Sequence, residues 1–347
     1  FNILLHLGGE LIMLKHKKIL SLIALLPIFA FLLAACGKSN TASKTQTITV
    51  VLDWTPNTNH TGLYVAQKKG YFKKHHLKVK FVQPSKDSAE QIVASGKAQV
   101  GISGQDTLAS AIGKKNPLPL TTMGTILQHN TSGIMSRKAD GITSPKKMQG
   151  HRYATWNTPT ELATIKQVVK DDGGDFKKVK TVPNNITDEV AGLKSKAADS
   201  IWIFYGWAGI NAEVKNYPVN YFSFKSINPV FDYYTPLIIG NDNFLKKNPK
   251  VAKEFMAAAT EGYKYAAKNP KASADLLMKA VPELKSNEKM IYKSQNYLSK
   301  YYLTDDGKFG KIDATRWNNF FKWLSDHKLV DQKLTKTQGF TNQYLPK

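Results

Sequence analysis

The 347-residue sequence predicts an α/β chain folded as two lobes with a ligand cleft between them. Three observations carry this reading. Short β-branched segments alternate with amphipathic ones, the pattern of a mostly parallel sheet covered by helices. The alternation runs once as far as Ile134 and then begins again. A helical tail follows the second run, so a chain crossing near Gln128–Ile134 and returning near Tyr233–Pro236 would complete a discontinuous first lobe. The expected boundaries are 47–133 with 234–347 for lobe one and 134–233 for lobe two. With 42% hydrophobic residues, the chain can bury one large core or two ordinary ones. The cleft would lie beside the C-terminal ends of the strands, where α/β sheets bind ligands.

Taken in order, the first twelve residues start without Met, and Met13 reads as the initiator, so residues 1–12 read as upstream sequence. Lys15, Lys17 and Lys18 then form a positive stretch ahead of the apolar run Ile19–Leu33. That run is shorter than the ~20 residues a spanning helix needs and suits the h-region of a signal peptide. It ends in Leu33-Ala34-Ala35-Cys36-Gly37, which resembles the bacterial lipobox, in which the cysteine is lipidated and becomes the mature N-terminus. Residues 37–46, rich in Ser, Thr, Lys and Gln, read as a flexible tether. A diacylated Cys36 would anchor the protein to the outer face of a bacterial cytoplasmic membrane.

Thr47–Leu52 is a first strand, followed by a polar loop over Asp53–Thr61 and a helix ending at Gly70. Leu77, Val79 and Phe81 alternate with lysines as a second strand. Ser88 and Gln91 make a capping box for a helix reaching Gly96. Val100–Ser103 and Thr121–Leu127 are further strands, with a helix at Thr107–Lys114 between them. The second rhythm places strands at Tyr153–Thr155, Val179–Val182, Ile201–Phe204 and Val219–Phe222, and a short one at Pro236–Gly240. Helices follow at Pro249–Asn269, Ala272–Ala280, Asn287–Lys300 and Asp313–His327.

Composition narrows the function. The net charge of +23 comes from scattered lysines, with little arginine and no Arg stripe interleaved with aromatics. It reads as a solvated surface, and no nucleic-acid partner is expected. The one cysteine excludes an internal disulfide and a cysteine-based metal site. No His-Glu-x-x-His, Gly-x-Ser-x-Gly or P-loop occurs, and the histidines have no metal-ligand spacing beyond the adjacent His75-His76. No catalytic set, metal or cofactor is expected.

Four segments at strand ends or crossovers stand out: Leu52–Tyr64 (LDWTPNTNHTGLY), Gln128–Gly133 (QHNTSG), Trp156–Glu161 (WNTPTE) and Trp202–Trp207 (WIFYGW). Asp232–Pro236 (DYYTP) is a fifth. Together they resemble the THI5/NMT1-like group of periplasmic-type binding proteins over nearly the whole chain from Thr47. Within it they look most like binding components of importers for thiamine pyrimidine precursors. The resemblance implies a type II periplasmic-binding-protein-like fold and an aminopyrimidine cargo. It also implies an ABC permease and ATPase as partners; a monomer is expected because one lipid anchor and one cleft suffice. Where relatives read tryptophan, glycine, serine, proline, this chain has Asn157 and Thr158 as the middle pair.

An aminopyrimidine is flat and rimmed by donors and acceptors, so its site needs aromatic faces and a few fixed polar groups. Trp54, Trp156, Tyr205, Trp207 and Tyr233 can supply faces, with Trp202 read as core. Asn59, Gln105, Gln128 and Asn130 can supply amides. His60 would bond the ligand or cap the next helix, and His129 leans structural. For the carboxylate that accepts from the exocyclic amine, the candidates are Glu161, Asp53 and Asp106, in that order. Asp106 would equally serve as an N-cap for the helix from Thr107.

Two rival readings exist. Eukaryotic relatives on this fold make the thiamine pyrimidine from a histidine and pyridoxal phosphate, and carry a lysine and a histidine after the third strand together with a cysteine-rich iron site. Here Gly101–Thr107 holds neither residue, and Cys36 is the one cysteine. A carrier for another small solute (riboflavin, sulfonate, nitrate or taurine) would keep the fold. An anion carrier, however, would want cationic or amide donors, and arginine is nearly absent from the candidate loops.

Overall fold

In the computed structural model the structure describes residues 45–347, which form one compact unit. The leader, Cys36 and residues 37–44 of the expected tether lie outside the described residues. Gln46, read as tether, already belongs to the first strand.

Among the described residues ten strands form two five-stranded sheets. Sheet 1 has the order β2-β1-β3-β10-β4, from β1 (Gln46–Val51), β2 (Leu77–Val82), β3 (Val100–Ser103), β4 (Leu120–Thr125) and β10 (Leu237–Asn241). Sheet 2 repeats that order as β7-β6-β8-β5-β9, from β5 (Ser132–Arg137), β6 (Arg152–Thr155), β7 (Lys180–Pro183), β8 (Ser200–Phe204) and β9 (Val219–Ser223). Each sheet is parallel except for one strand. β10 pairs antiparallel with β3 and β4, and β5 pairs antiparallel with β8 and β9. These are the strands that follow each crossing between the sheets. A chain leaving a sheet at the cleft reaches the other sheet from the cleft side, so its next strand must run away from the cleft.

The alternation in the sequence locates nine of the strands but not β5. Burial alone does not hide it, since β3 and β10 are wholly buried too; the β5 sequence SGIMSR has Ile134 as its one β-branched residue and carries no strand signal. Gly133 is required there by close packing, since a Cβ would lie 2.2 Å from the Phe222 carbonyl oxygen.

Helices cover both faces of sheet 1. Thr61–Lys68 and Pro249–Lys268 close one face over Ile48, Val50, Leu63 and Phe255. On the other face, Ala314–Asp326 packs Trp317 and Phe320 in an apolar cluster with Val51, Leu237 and Ile239. That cluster continues into lobe two. Tyr233 stacks on Phe320 with ring centres 4.1 Å apart, and Phe231 meets Trp323 edge-on at 5.0 Å.

The helix starts follow their caps. Ser88 accepts from the Gln91 N–H as the capping box predicts, and Asp313 accepts from the Arg316 N–H. The helix expected from Thr107 opens two residues earlier, at Gln105. Gly104 is its N-cap residue and donates its N–H to the Thr107 hydroxyl at 3.0 Å, so the capping role read for Asp106 is not realised.

Candidate ligand-binding cleft

The C-terminal ends of β1 and β8 face each other across the cleft, and both sequences turn aromatic and polar there. Asp53 and Trp54 follow β1, while Trp202–Phe204 close β8 and lead into a π-helical turn over Tyr205–Gly209. Between them lies a cavity of about 250 Å³, floored by the crossing segments at Leu127, Thr131, Thr235 and Pro236.

Its walls come from both lobes. Lobe one gives Asp53, Trp54 and the turn Asn57–Asn59; lobe two gives Trp156, Glu189, Trp202–Phe204 and Trp207. Trp54 and Trp207 meet edge-to-face across the cleft at 6.4 Å, and Trp156 and Trp202 do so within lobe two at 6.4 Å. Trp54 is 53% exposed and Trp156 51%, an unusual state for indoles that the fold does not otherwise use. Aromatic surface left uncovered in a cleft is available to stack on a flat ligand.

The polar equipment is acidic. Asp53 and Glu189 line this cavity, and among the described residues no lysine or arginine does. Asp53 is oriented by His60, which is wholly buried. The Asn57 N–H points at His60 Nδ1 (3.2 Å), so Nδ1 is the acceptor and the ring proton is on Nε2. That Nε2–H donates to Asp53 Oδ1 at 2.8 Å, and Oδ2 has no hydrogen-bond partner among the described residues. Glu189 opens the helix Glu189–Lys194, which is capped by Asp188 through the Ala191 N–H. Burial lifts the Glu189 carboxyl above its ordinary 4.5, and the neighbouring Asp188 charge pushes the same way. The two carboxyls therefore differ in character, one held by a donor and the other inclined to keep its proton.

A larger, more polar chamber of about 580 Å³ adjoins the cavity and shares Asp53, Trp156, Trp202, Phe204 and Thr235 with it. Glu90, Asp106, Glu161 and Tyr233 line it, with Lys86 its one cation. Burial raises the Asp106 carboxyl, and the Glu90 charge adds to that.

Of the residues singled out from sequence, Trp54, Asn59, Trp156 and Trp207 line the inner cavity, and Asp106, Glu161 and Tyr233 line the chamber. The others serve the fold. Gln105 is fully buried, donating to the Trp317 carbonyl (3.0 Å) and accepting from the Tyr234 N–H (2.9 Å). Gln128 donates to the Lys311 carbonyl, and Asn130 bridges the Phe231 carbonyl and the Ser132 N–H. Tyr205 donates to Glu213 at 2.6 Å and lines neither space, and its hydroxyl is pushed up to about 12 by burial and that carboxylate. His60 acts on Asp53 rather than facing the cavity. His129 pairs with Asp232 at 2.7 Å, tying the two crossings together.

The carboxylate order also changes. Glu161 accepts from Tyr153 Oη (2.6 Å), Thr155 Oγ1 (2.9 Å) and the N–H groups of Trp156 and Thr158. Both its oxygens are committed, so it shapes the Trp156 loop and has little left for a ligand. Asp53 takes first place. Tyr233, nearly fully buried on Phe320, is a wall rather than a stacking face.

Sequence reasoning missed Glu189, Phe204 and Thr235. A signal for Glu189 exists: lobe two repeats the segment after β2. Ser88 and Asp188 cap equivalent helices, Ser95 and Ser195 end them, and Gly96 and Lys196 both take positive φ in the following turn.

Comparison with known proteins identifies the family and the fold. Residues 57–273 match the family model described as NMT1/THI5 like. A formylaminopyrimidine-binding protein of Halalkalibacterium halodurans is 28% identical over 94% of this chain and 99% of its own. A 4-amino-5-hydroxymethyl-2-methylpyrimidine phosphate synthase of Legionella pneumophila is 21% identical over 86% of this chain and 92% of its own. Among solved structures, the periplasmic nitrate-binding protein of Synechocystis PCC 6803 superposes with a TM-score of 0.67 at 14% identity, covering 87% of each chain. The last likeness establishes a shared two-lobe α/β fold. The matched segment is more than half of the chain and takes in all of sheet 2 and four strands of sheet 1, so this chain belongs to the NMT1/THI5-like family.

Proposed function

We propose that this protein is the extracytoplasmic solute-binding component of an ABC importer, and that its cargo is an aminopyrimidine precursor of thiamine. One observation carries the reading. The cavity is walled by indoles from both lobes and, among the described residues, holds two carboxyls and no cationic side chain. A flat, neutral or weakly basic heterocycle meets those terms. The ring stacks on Trp156 or Trp54, Asp53 Oδ2 accepts from the exocyclic amine, and Glu189 faces a ring nitrogen. A protonated Glu189 donates to that nitrogen, and an ionised one binds its protonated form. A cavity of about 250 Å³ suits a single small ring.

The same observation argues against nitrate, sulfonate or taurine, whose anionic groups would face Asp53 and Glu189 unpaired. The formylaminopyrimidine-binding relative supports the cargo class. Against a synthase stand the loop Gly101–Thr107, which has neither lysine nor histidine, and a sequence whose one cysteine is Cys36. The leader and Cys36 support a lipid anchor on the outer face of the cytoplasmic membrane, with a permease and an ATPase as partners.

The test is titration of residues 45–347 with aminopyrimidine precursors, following tryptophan fluorescence and heat, with thiamine, riboflavin, taurine and nitrate as controls. One-to-one binding of a precursor is expected. Trp156→Ala should weaken it by about 1–3 kcal/mol, the usual value of one base–aromatic stack. Binding of a control solute and of no pyrimidine would overturn the cargo and keep the fold.

A further inference from the structure

We propose that the base of lobe one, at the end of sheet 1 opposite the cleft, docks on an anionic phospholipid bilayer. This goes beyond a lipid anchor and rests on the membrane location proposed above. The strands β1 to β4 point their C-terminal ends at the cleft, so their N-terminal ends and the C-terminal end of β10 define the base.

The base is one continuous surface. The helix Tyr71–Lys74 ahead of β2 is tied to Pro249–Lys268 by His75, which bonds Glu254 and Glu261. The helix Asp242–Lys247 after β10 is tied to the loop before β4. The Asp242 N–H donates to the Pro119 carbonyl (3.0 Å), and its carboxylate accepts from the Thr121 hydroxyl (2.7 Å).

The charge of this surface is one-sided. Lys73, Lys78, Lys246, Lys247, Lys250 and Lys253 are all exposed, and Lys114 and Lys115 extend the patch along the loop before β4. None of the eight belongs to an ion pair found among the described residues. Of the acids at the base, Asp242 is engaged with Thr121, Glu254 with His75, and Glu261 with His75 and Lys74; Asp331, exposed next to Gln332 beside Lys115, offsets one lysine of the eight. Residues 61–80 contain six lysines and no Asp or Glu.

The chain path gives the occupant. Gln46 donates its N–H to the His76 carbonyl at 2.9 Å, so the chain joins the described unit at the base, beside Lys73 and Lys78. Cys36 precedes Gln46 by ten residues, which span at most about 35 Å when extended. A lipid on Cys36 would hold this end of lobe one against headgroups. Lysines gain from a negative leaflet within about one Debye length of it, roughly 8 Å at physiological salt. Seated this way, the molecule rests the base of lobe one on the bilayer, and the chain between Cys36 and Gln46 lets it leave that seat to meet a permease.

The experiment uses residues 45–347, which contain both sheets and the cores described above, so no lipid anchor contributes. Sedimentation is followed with vesicles of phosphatidylcholine alone and of phosphatidylcholine mixed with phosphatidylglycerol. Binding is expected to the mixed vesicles only, weakening as salt rises. Lys246→Glu, Lys247→Glu, Lys250→Glu and Lys253→Glu combined should lower the partition coefficient by at least about tenfold. A lobe-two variant with the same charge change, Lys166→Glu, Lys170→Glu, Lys177→Glu and Lys178→Glu combined, should retain most of it. Absence of binding to the anionic vesicles, or equal loss in the two variants, overturns the docking surface. Vesicle binding is read without any pyrimidine, so failure of the cargo reading leaves this result standing, and the reverse holds for the titration.

Discussion

Asp53 shows how a binding group is prepared before its ligand arrives. His60 is buried, its Nδ1 is occupied by the Asn57 N–H, and its Nε2–H can only point at Asp53. Asp53→Asn keeps the shape and loses the charge. Since a hydrogen bond to a charged group is worth about 1.5–3 kcal/mol, affinity for an aminopyrimidine should fall roughly ten- to a hundredfold, as measured by calorimetric titration. An unchanged affinity would move the carboxylate role to Glu189. A different histidine carries a pH signature. His75 contacts Glu254 and Glu261 with its two ring nitrogens, an arrangement that calls for the protonated ring. Burial works to lower its pKa, but the bonds and charges of the two glutamates outweigh that and leave it raised above 6.5. A raised folded-state value means stability fully present below pH 6.5 and lost as pH rises through the folded pKa. The urea midpoint of His75→Gln should therefore lie furthest below that of the parent on the acid side, and the two should converge in alkali. A gap independent of pH would show that only packing is involved.

At the scale of elements, the closest approach in lobe one is the crossing of Thr61–Lys68 and Pro249–Lys268. A Cβ on Gly262 would stand 2.0 Å from the Gly62 carbonyl oxygen, and one on Gly62 would stand 2.2 Å from the Tyr263 ring. Neither neighbour is the loose end of a flexible chain, so the helices must separate to admit a methyl group. Gly262→Ala should cost about 1–3 kcal/mol in denaturant unfolding, as overpacking usually does. The same shift would reach the cleft, because Tyr263 donates to the Asn59 carbonyl. This crossing also marks what a sequence can announce. The apolar face of the long helix, through Phe255, Ala259 and Tyr263, is plain at helical spacing; the partner that Gly62 and Gly262 admit is not. Strands with one polar face were legible by alternation and the wholly buried β3 and β10 by their β-branched residues, while β5, with Ile134 its one β-branched residue, was not. At the cleft, exposed indoles in polar loops were legible as Trp54 and Trp156. Glu161 misled because a carboxylate beside a tryptophan reads alike whether it faces a ligand or caps its own loop. Gln105 and Gln128 misled because an amide's partners here are backbone groups far away in sequence. Glu189 was hidden in a polar stretch until the repeated strand order placed it opposite Asp53.

For the whole molecule, the question is whether two lobes mean two folding units. They are joined by more than the crossing segments. One apolar cluster runs from Val51 in sheet 1 through Trp317, Phe320 and Trp323 to Phe231, Trp202 and Tyr153 of lobe two. A second joins Tyr64 of lobe one to Ile210 of lobe two through Leu277 and Ile291. Surface buried in common must be exposed when either lobe opens, so the chain is expected to unfold in a single calorimetric transition with matching calorimetric and van't Hoff enthalpies. Phe320→Ala removes the ring on which Tyr233 stacks and should cost about 3–5 kcal/mol. Much of that loss falls on the contact between lobes, so the variant should show two transitions. The ligand then becomes a probe of where it binds. A solute held by both lobes stabilises only the state in which both are folded, by about 2.7 kcal/mol at a hundred times its Kd. Added to Phe320→Ala, an aminopyrimidine seated between Asp53 and Trp156 should draw the two transitions back together. If it raises one transition and leaves the other in place, the solute is held by a single lobe and the shared cavity is not its site.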